Sequence, residues 1–305
     1  MIPGKSRLNF TVNMETSTAK IWRVVDLLKW SKEYLAAKGV ESPQIEAEWM
    51  LRHVLNCSRM DIYLNHERPL RADELAAFKT LLINRAKGIP VQYVLGYTEF
   101  MGHTFTVSPA VLIPRPETEL LVEKVLDLLK QIQSPEISVL DVGTGSGCIA
   151  ISIAIGCERC RVSALDVSPA ALRVSKENAE NNGVTDRINF LEMDILNHYP
   201  ENKSFDMIVS NPPYVAGDYW NNLSDLVRKN EPQLALYPGE DELIFYRRLA
   251  NLAKTHLVEN GCLITEIGGT YQQAGVCRVF TDKGLRIVET IKDYSGQGRI
   301  VIAGN

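Results

Sequence analysis

The sequence predicts an α/β protein: a mostly parallel, doubly wound seven-stranded sheet that ends in an antiparallel hairpin, preceded by a small helical bundle. Three observations carry this. From about residue 138 onward, short runs rich in β-formers alternate with stretches at helical spacing, the pattern of a parallel sheet with crossover helices. The last two strands are separated only by residues 293–298, which hold two glycines and are too few for a crossover helix, so these strands should pair antiparallel. The first third instead shows apolar stripes at helical spacing, punctuated by Gly and Pro.

In chain order, residues 1–18 read as an extension without the apolar core of a signal peptide, and Met14 offers an alternative start. A helical domain is expected over 19–92. Ile21, Val25, Leu28 and Leu35 form a stripe that Gly39 ends. Ser42 followed by Pro43 reads as an N-cap with proline at the first helical position, opening a helix through Trp49, Leu51 and Leu55. A third helix runs from about 71 to 87, stopped by Gly88 and Pro90. These stripes are accounted for by a bundle core, and a bundle attached to an enzyme can serve to recognise a partner. Residues 93–113 read as a β-hairpin linker, with Met101-Gly102 between two β-rich runs. The sheet domain is expected over 114–305. It opens with Ile113-Pro114-Arg115-Pro116-Glu117-Thr118-Glu119, followed by a helix to about 133. Strands are expected at 138–142, 161–165, 188–193, 205–210, 261–266, 285–292 and 299–303. Helices are expected at 148–155, 169–181, 242–258 and 270–281.

Length and composition narrow the function. The 305 residues suffice for one large or two ordinary domains, and 45% hydrophobic with 23% charged residues is usual for a soluble globular protein. No apolar run is as long as a membrane span. A net charge of −4 speaks against a protein that grips nucleic acid through phosphates, although a local basic patch can hide in an acidic total. The six cysteines are dispersed, which fits a reduced, cytoplasmic protein. Cys157 and Cys160 have Cys-x-x-Cys spacing, but no second pair accompanies them, so no metal site is expected.

The chemistry is carried by the ends of the predicted strands. After the first strand of the sheet, Gly143-Thr144-Gly145-Ser146-Gly147 lets the backbone turn sharply and approach a ligand, although a tight structural turn alone would use the same glycines. Its spacing is not that of dinucleotide binders. Asp166 ends the second strand, where a carboxylate can accept both ribose hydroxyls. Asp194 follows the third and can accept from an adenine amino group or cap a turn. No phosphate-loop lysine motif is present. An adenosine with a ribose but no phosphate loop points to S-adenosylmethionine. After the fourth strand come Asn211, Pro212, Pro213 and Tyr214. The two prolines constrain the residues before them and lack N–H groups, so this loop presents carbonyls beside an aromatic face. That suits a planar NH2, either the exocyclic amine of adenine or the amide of glutamine.

The flanks separate these targets. The 113–119 segment, the glycine loop, Asp166-Val167-Ser168-Pro169, the Asn-Pro-Pro-Tyr loop, Glu231-Pro232-Gln233-Leu234, Gly239-Glu240-Asp241, Phe245-Tyr246-Arg247-Arg248 and Lys292-Asp293-Tyr294 follow one another in that order. Together they resemble the HemK/PrmC family over about residues 20–303. The resemblance implies a class I methyltransferase, Rossmann-like in fold, acting on the glutamine of the Gly-Gly-Gln motif in class 1 peptide-chain release factors. S-adenosylmethionine would be the donor, S-adenosylhomocysteine the product, and no metal, nucleic acid or membrane would take part. It implies that Gly143 to Gly147, Asp166, Asp194, Ile195 and Asn211 bind the cofactor and that Asn211 to Tyr214 bind the substrate. Relatives commonly carry an aromatic residue where this chain has Ile195, and Gly-Gly where it has Pro238-Gly239. A ribosomal-protein glutamine or a nucleic-acid adenine are the alternative targets. The acidic balance and the lack of a basic recognition segment speak against the latter, and the intact tetrapeptide beside an intact glycine loop speaks against a non-catalytic adenosine binder.

The expected mechanism rests on orientation. Asn211 Oδ1 and the Pro212 carbonyl would accept the two N–H bonds of the target amide, and Tyr214 would stack on its plane. Arg115, flanked by two prolines, reads as a brace for the loops, a contact to the substrate or one half of a structural ion pair, and Glu231, also before a proline, reads similarly.

Overall fold

The computed structural model describes residues 21–201 and 204–305. The extension read at residues 1–18 lies outside them. The chain divides into two compact units, the first ending at Ala86 and the second spanning Lys87–Asn305.

The first unit holds α1 (Val24–Ala36), α2 (Pro43–Leu55), α3 (Arg59–Leu64) and α4 (Ala72–Ala86). Helix α1 buries Val24, Leu27, Ser31 and Leu35, while Ile21 and Val25 are exposed. The predicted stripe is thus one residue out of phase through most of its length. Val24-Val25 and Leu27-Leu28 are apolar pairs, so spacing alone fits either face, and packing against α2 selects one. Pro43 opens α2 as expected, but the Ser42 side chain makes no capping bond. The six-residue α3 is too short to show periodicity. It is held by a capping box in which Asp61 N donates to Ser58 Oγ and Ser58 N donates to Asp61 Oδ2.

The second unit opens with α5 (Val91–Leu95) and the hairpin of β1 (Tyr97–Phe100) and β2 (His103–Thr106). Met101 and Gly102 both have positive φ, 50° and 75°, as a tight two-residue hairpin turn requires. The Met101 N–H is held by Glu119 Oε1 at 2.6 Å. Then follow α6 (Pro116–Leu129), β3 (Ile137–Val142), α7 (Cys148–Gly156), β4 (Cys160–Asp166), α8 (Pro169–Asn181), β5 (Ile188–Glu192) and β6 (Phe205–Ser210). Two short helices, α9 (Gly217–Asn221) and α10 (Asp225–Asn230), precede α11 (Ile244–His256), β7 (Leu257–Glu266), α12 (Thr270–Asp282), β8 (Arg286–Lys292) and β9 (Gly298–Gly304).

The seven-stranded sheet has the order β5-β4-β3-β6-β7-β9-β8. The five strands from β5 to β7 are parallel, and β9 runs antiparallel between β7 and β8. This is the mixed sheet with a terminal antiparallel hairpin that the sequence predicts. Strand β7 begins at Leu257, earlier than expected, because its pairing with β6 passes an irregularity between Phe205 and Met207. Both faces of the sheet are covered, so its central strands read as continuous apolar runs. In β6, Met207 and Val209 enter the core cluster shared with α6 and α7, and Ile208 enters the one shared with α11 and α12. With its central strands buried on both sides, the parallel sheet leaves the loops after its strands as the place for chemistry. Among the described residues, no helix is long and apolar enough to cross a membrane.

Candidate active site

The loops after β3, β4, β5 and β6 share one cavity of about 530 Å3. Its wall includes Gly143 to Ser146 after β3, Asp166 at the end of β4, Asp194 and Ile195 after β5, and Asn211, Pro212 and Pro213 after β6. Residues spread over the sequence as separate motifs are thereby brought to one place. Gly147 and Tyr214 do not line it.

The glycines divide by task. Gly143 and Gly145 have φ of +76° and +56°, a region that side chains rarely adopt. A Cβ at Gly143 would meet nothing within 4 Å, so a side chain there would stand in the open loop beside the cavity. At Gly147 a Cβ would come within 2.9 Å of Ile151 Cδ1 and 3.0 Å of Ser175 Cβ. The third glycine thus lets α7 pack against α8.

Asp141 lies beneath this loop, fully buried, and accepts from Thr144 Oγ1 at 2.6 Å through Oδ2. Its Oδ1 has no hydrogen-bond partner among the described residues. Burial pushes its carboxyl up to about 7. Asp166 accepts Gly145 N at 2.8 Å and Ser168 N at 2.9 Å, one on each oxygen. It therefore ties the end of β4 to the glycine loop and still has lone pairs for further donors. Burial raises its pKa as well. Asp194 lines the cavity while capping its own turn, accepting from Leu196 N at 2.9 Å and Asn197 Nδ2 at 2.6 Å. Ile195 is buried, and its carbonyl accepts from Arg248 Nε.

On the β6 side, Asn211 Nδ2 donates to Thr118 Oγ1 at 3.1 Å. Thr118 Oγ1 donates to Glu266 Oε2 at 2.7 Å, and Tyr214 OH donates to Glu266 Oε1 at 3.2 Å. The Tyr214 ring lies against Gly268, where a built Cβ would be 3.0 Å from Tyr214 Cδ2. Tyr214 thus stands behind the loop, where a stacking role would have it in the cavity wall. Burial pushes the Glu266 carboxyl up to about 7. At the cavity rim, Arg115 donates to Glu231 Oε1 at 2.5 Å, and Glu231 Oε2 accepts Ile113 N at 3.2 Å. The pair pins the segment before α6 to the loop after α10.

Thr118 and Glu266 were not singled out in the sequence. Glu266 ends a predicted strand, the same position that marks Asp166, so that rule could have found it. Thr118 sits in the first turn of α6 and carries no such mark.

The PrmC N-terminal domain family matches residues 26–96, and the methyltransferase small domain family matches residues 118–236. A release factor glutamine methyltransferase from Chlorobaculum tepidum is 40% identical over 284 residues, covering 90% of this chain and 95% of its own length. Another, from Rhodopirellula baltica, is 37% identical, covering 94% of this chain and 98% of its own. A solved structure, the release factor-specific protein-(glutamine-N5) methyltransferase from Alicyclobacillus acidocaldarius, is 32% identical, with 66% of this chain and 99% of that one covered and a TM-score of 0.41. With such identity to relatives matched over nearly their whole length, the chain belongs to the release factor glutamine methyltransferase family.

Proposed function

We propose that this chain transfers a methyl group from S-adenosylmethionine to the side-chain amide nitrogen of the glutamine in the Gly-Gly-Gln motif of class 1 peptide-chain release factors, with S-adenosylhomocysteine as product. The reading includes a cytoplasmic location and no metal. The observation that carries it is the setting of Asn211. Its Nδ2 is committed to Thr118, no donor to its Oδ1 is found among the described residues, and Asn211 lines the cavity that also holds the glycine loop.

The cavity suits the donor. Its volume lies in the ~300–1,000 Å3 range of small-molecule sites. Gly143 and Gly145 leave open the space that side chains would take, Asp166 offers a carboxylate to ribose hydroxyls, and Asp194 one to an adenine amino group. Val142, Leu165, Met193 and Ile195 give an apolar wall for a flat ring. When bound, S-adenosylmethionine supplies an electrophilic methyl group on a sulfonium sulfur.

The chain's own residues supply orientation. An amide nitrogen is a poor nucleophile because its lone pair is delocalised into the carbonyl. Asn211 Oδ1 and the Pro212 carbonyl accept its two N–H bonds, hold it in one pose and stabilise positive charge as it develops. No base is required beforehand, since the proton leaves to water after transfer. Pro213 keeps the loop rigid, and Tyr214 braces it from behind.

The test is methyl transfer from labelled S-adenosylmethionine to an intact class 1 release factor, to the same factor with its Gly-Gly-Gln glutamine replaced, to ribosomal proteins and to DNA. Label on the intact factor alone is the expected result. Label on ribosomal protein or DNA alone would refute the reading.

A further inference from the structure

The buried carboxylate of Glu266 touches neither the cavity nor any reacting atom, yet it controls which way the Asn211 amide faces. A carboxylate only accepts hydrogen bonds. Both its oxygens are engaged, Oε2 by Thr118 Oγ1 at 2.7 Å and Oε1 by Tyr214 OH at 3.2 Å. A hydroxyl has one proton. Because Thr118 gives its proton to Glu266, it can only accept from Asn211 on its other side. Asn211 must then turn its NH2 toward Thr118, as found at 3.1 Å, and its oxygen away from it. No residue among those described donates to Asn211 Oδ1, and that atom is not a buried unpaired one, which leaves it to the cavity that Asn211 lines.

An asparagine amide is nearly symmetric in shape, and sterics alone barely distinguish its two flips. A flipped Asn211 would present NH2 to the NH2 of the target, donor against donor. We propose that Glu266 is the positioning residue that fixes the Asn211 amide through Thr118, making the loop an acceptor for a planar NH2. This rests on the reading of Asn211 as the acceptor for the target amide. It adds to that reading a polarity that runs from the end of β7, through α6, to the loop after β6. Glu266 also holds Tyr214, so the same carboxylate sets both the amide and the brace behind it.

A purely structural role is the competing account, and it makes different predictions. Glu266→Gln keeps size and packing but brings an NH2 of its own. Placed toward Thr118, that NH2 lets the hydroxyl donate to Asn211 and favours the flipped amide. Methyl transfer to a class 1 release factor, followed in single turnover, should slow by ~10-fold to 10²-fold, up to the scale of one lost preorganised dipole. The apparent Kd for S-adenosylmethionine should change little, and the variant should still unfold in one cooperative transition, its Tm shifted only by loss of the pH dependence that the Glu266 carboxyl contributes. Thr118→Val should slow transfer similarly, and Thr118→Ser should recover most of that loss. The decisive measurement is the double variant. If Glu266 acts through Asn211, Glu266→Gln should cost little further rate in an Asn211→Ala background.

Wild-type rate in Glu266→Gln, or an undiminished loss from it in the Asn211→Ala background, would overturn the inference while leaving the Asn211 reading intact. Near wild-type transfer by folded Asn211→Ala would overturn that reading and the inference with it.

Discussion

Two buried acid–threonine pairs lie under the two sides of the cavity, and they differ in reach. Under the glycine loop, Asp141 accepts from Thr144 at 2.6 Å, three residues away in sequence. Under the Asn-Pro-Pro-Tyr loop, Glu266 accepts from Thr118 at 2.7 Å across 148 residues, and Thr118 passes the constraint on to Asn211. The first pair shapes a loop whose backbone faces the ligand. The second sets the direction of a side-chain dipole. Among the described residues, Asp141 keeps an oxygen without a partner, while both oxygens of Glu266 are engaged. A local pair is enough to hold a turn, but an amide flip needs several elements to agree.

The comparison can be broken most forcefully at Asn211. Asn211→Ala should lower the rate of methyl transfer by ~10²-fold, the scale of one lost oriented dipole, with the thermal transition nearly unchanged. Transfer assays beside calorimetry check this. On the other side, Gly143→Ala should lower donor affinity and also cost ~1 kcal/mol of stability, because its added methyl stands beside the cavity at a φ of +76° that side chains rarely adopt. Gly147→Ala should cost more stability, ~2–4 kcal/mol, and leave the cavity wall unchanged, since at a φ of +83° its methyl would also overlap Ile151 and Ser175. Denaturant melts and equilibrium dialysis of labelled S-adenosylmethionine would separate the two glycines.

Acidity sharpens the contrast further. Both buried carboxyls titrate near 7 in the fold, well above their ordinary values, because burial disfavours the charge. The folded state therefore keeps these protons to higher pH than the unfolded chain does. Their contribution to stability is full below about pH 4 and is lost as pH rises toward 7. The activity assigned to Glu266 runs the other way, because only its ionised form forces Thr118 to donate. Thr118 and Glu117 of α6, Arg299 of β9, Tyr246 of α11 and Tyr214 are the groups that face it or act on its charge, Glu117 raising its pKa and Arg299 lowering it. Transfer should rise through about pH 7 in the wild type and lose that step in Glu266→Gln, while Asp141→Asn should flatten the pH dependence of Tm and keep the activity step. The smallest effect concerns the first unit. Ser58→Ala should cost ~1 kcal/mol by removing the capping box of α3, with no change in transfer rate.

What was legible in the sequence follows from the range of the interactions. Strand β6 lies where its apolar run predicts it, and the hairpin of β8 and β9 follows from the short stretch between them. The glycine loop and the tetrapeptide are local motifs, and three of the four tetrapeptide residues line the cavity beside the loop. Helices α3 and α5, of six and five residues, are too short to show a period. The burial phase of α1 was set by α2, which no window on α1 contains. The service of Thr118 to Asn211 could not be read, because 93 residues separate them. Nor could the direction of the Tyr214 ring, which Gly268 and Glu266 determine from the far end of β7.

Strand β9 lies between β7 and β8, yet it is made after both. While the chain is being synthesised, β7 has β6 on one side and an unpaired row of amides and carbonyls on the other. At ~5–20 residues per second, this interval after Glu266 emerges lasts a few seconds. The glycine-loop half of the sheet can be complete by then, whereas the strand that carries Glu266 waits for β9. A nascent chain stalled in this window would hold an assembled donor loop and an open β edge, a state prone to pairing with the wrong strand.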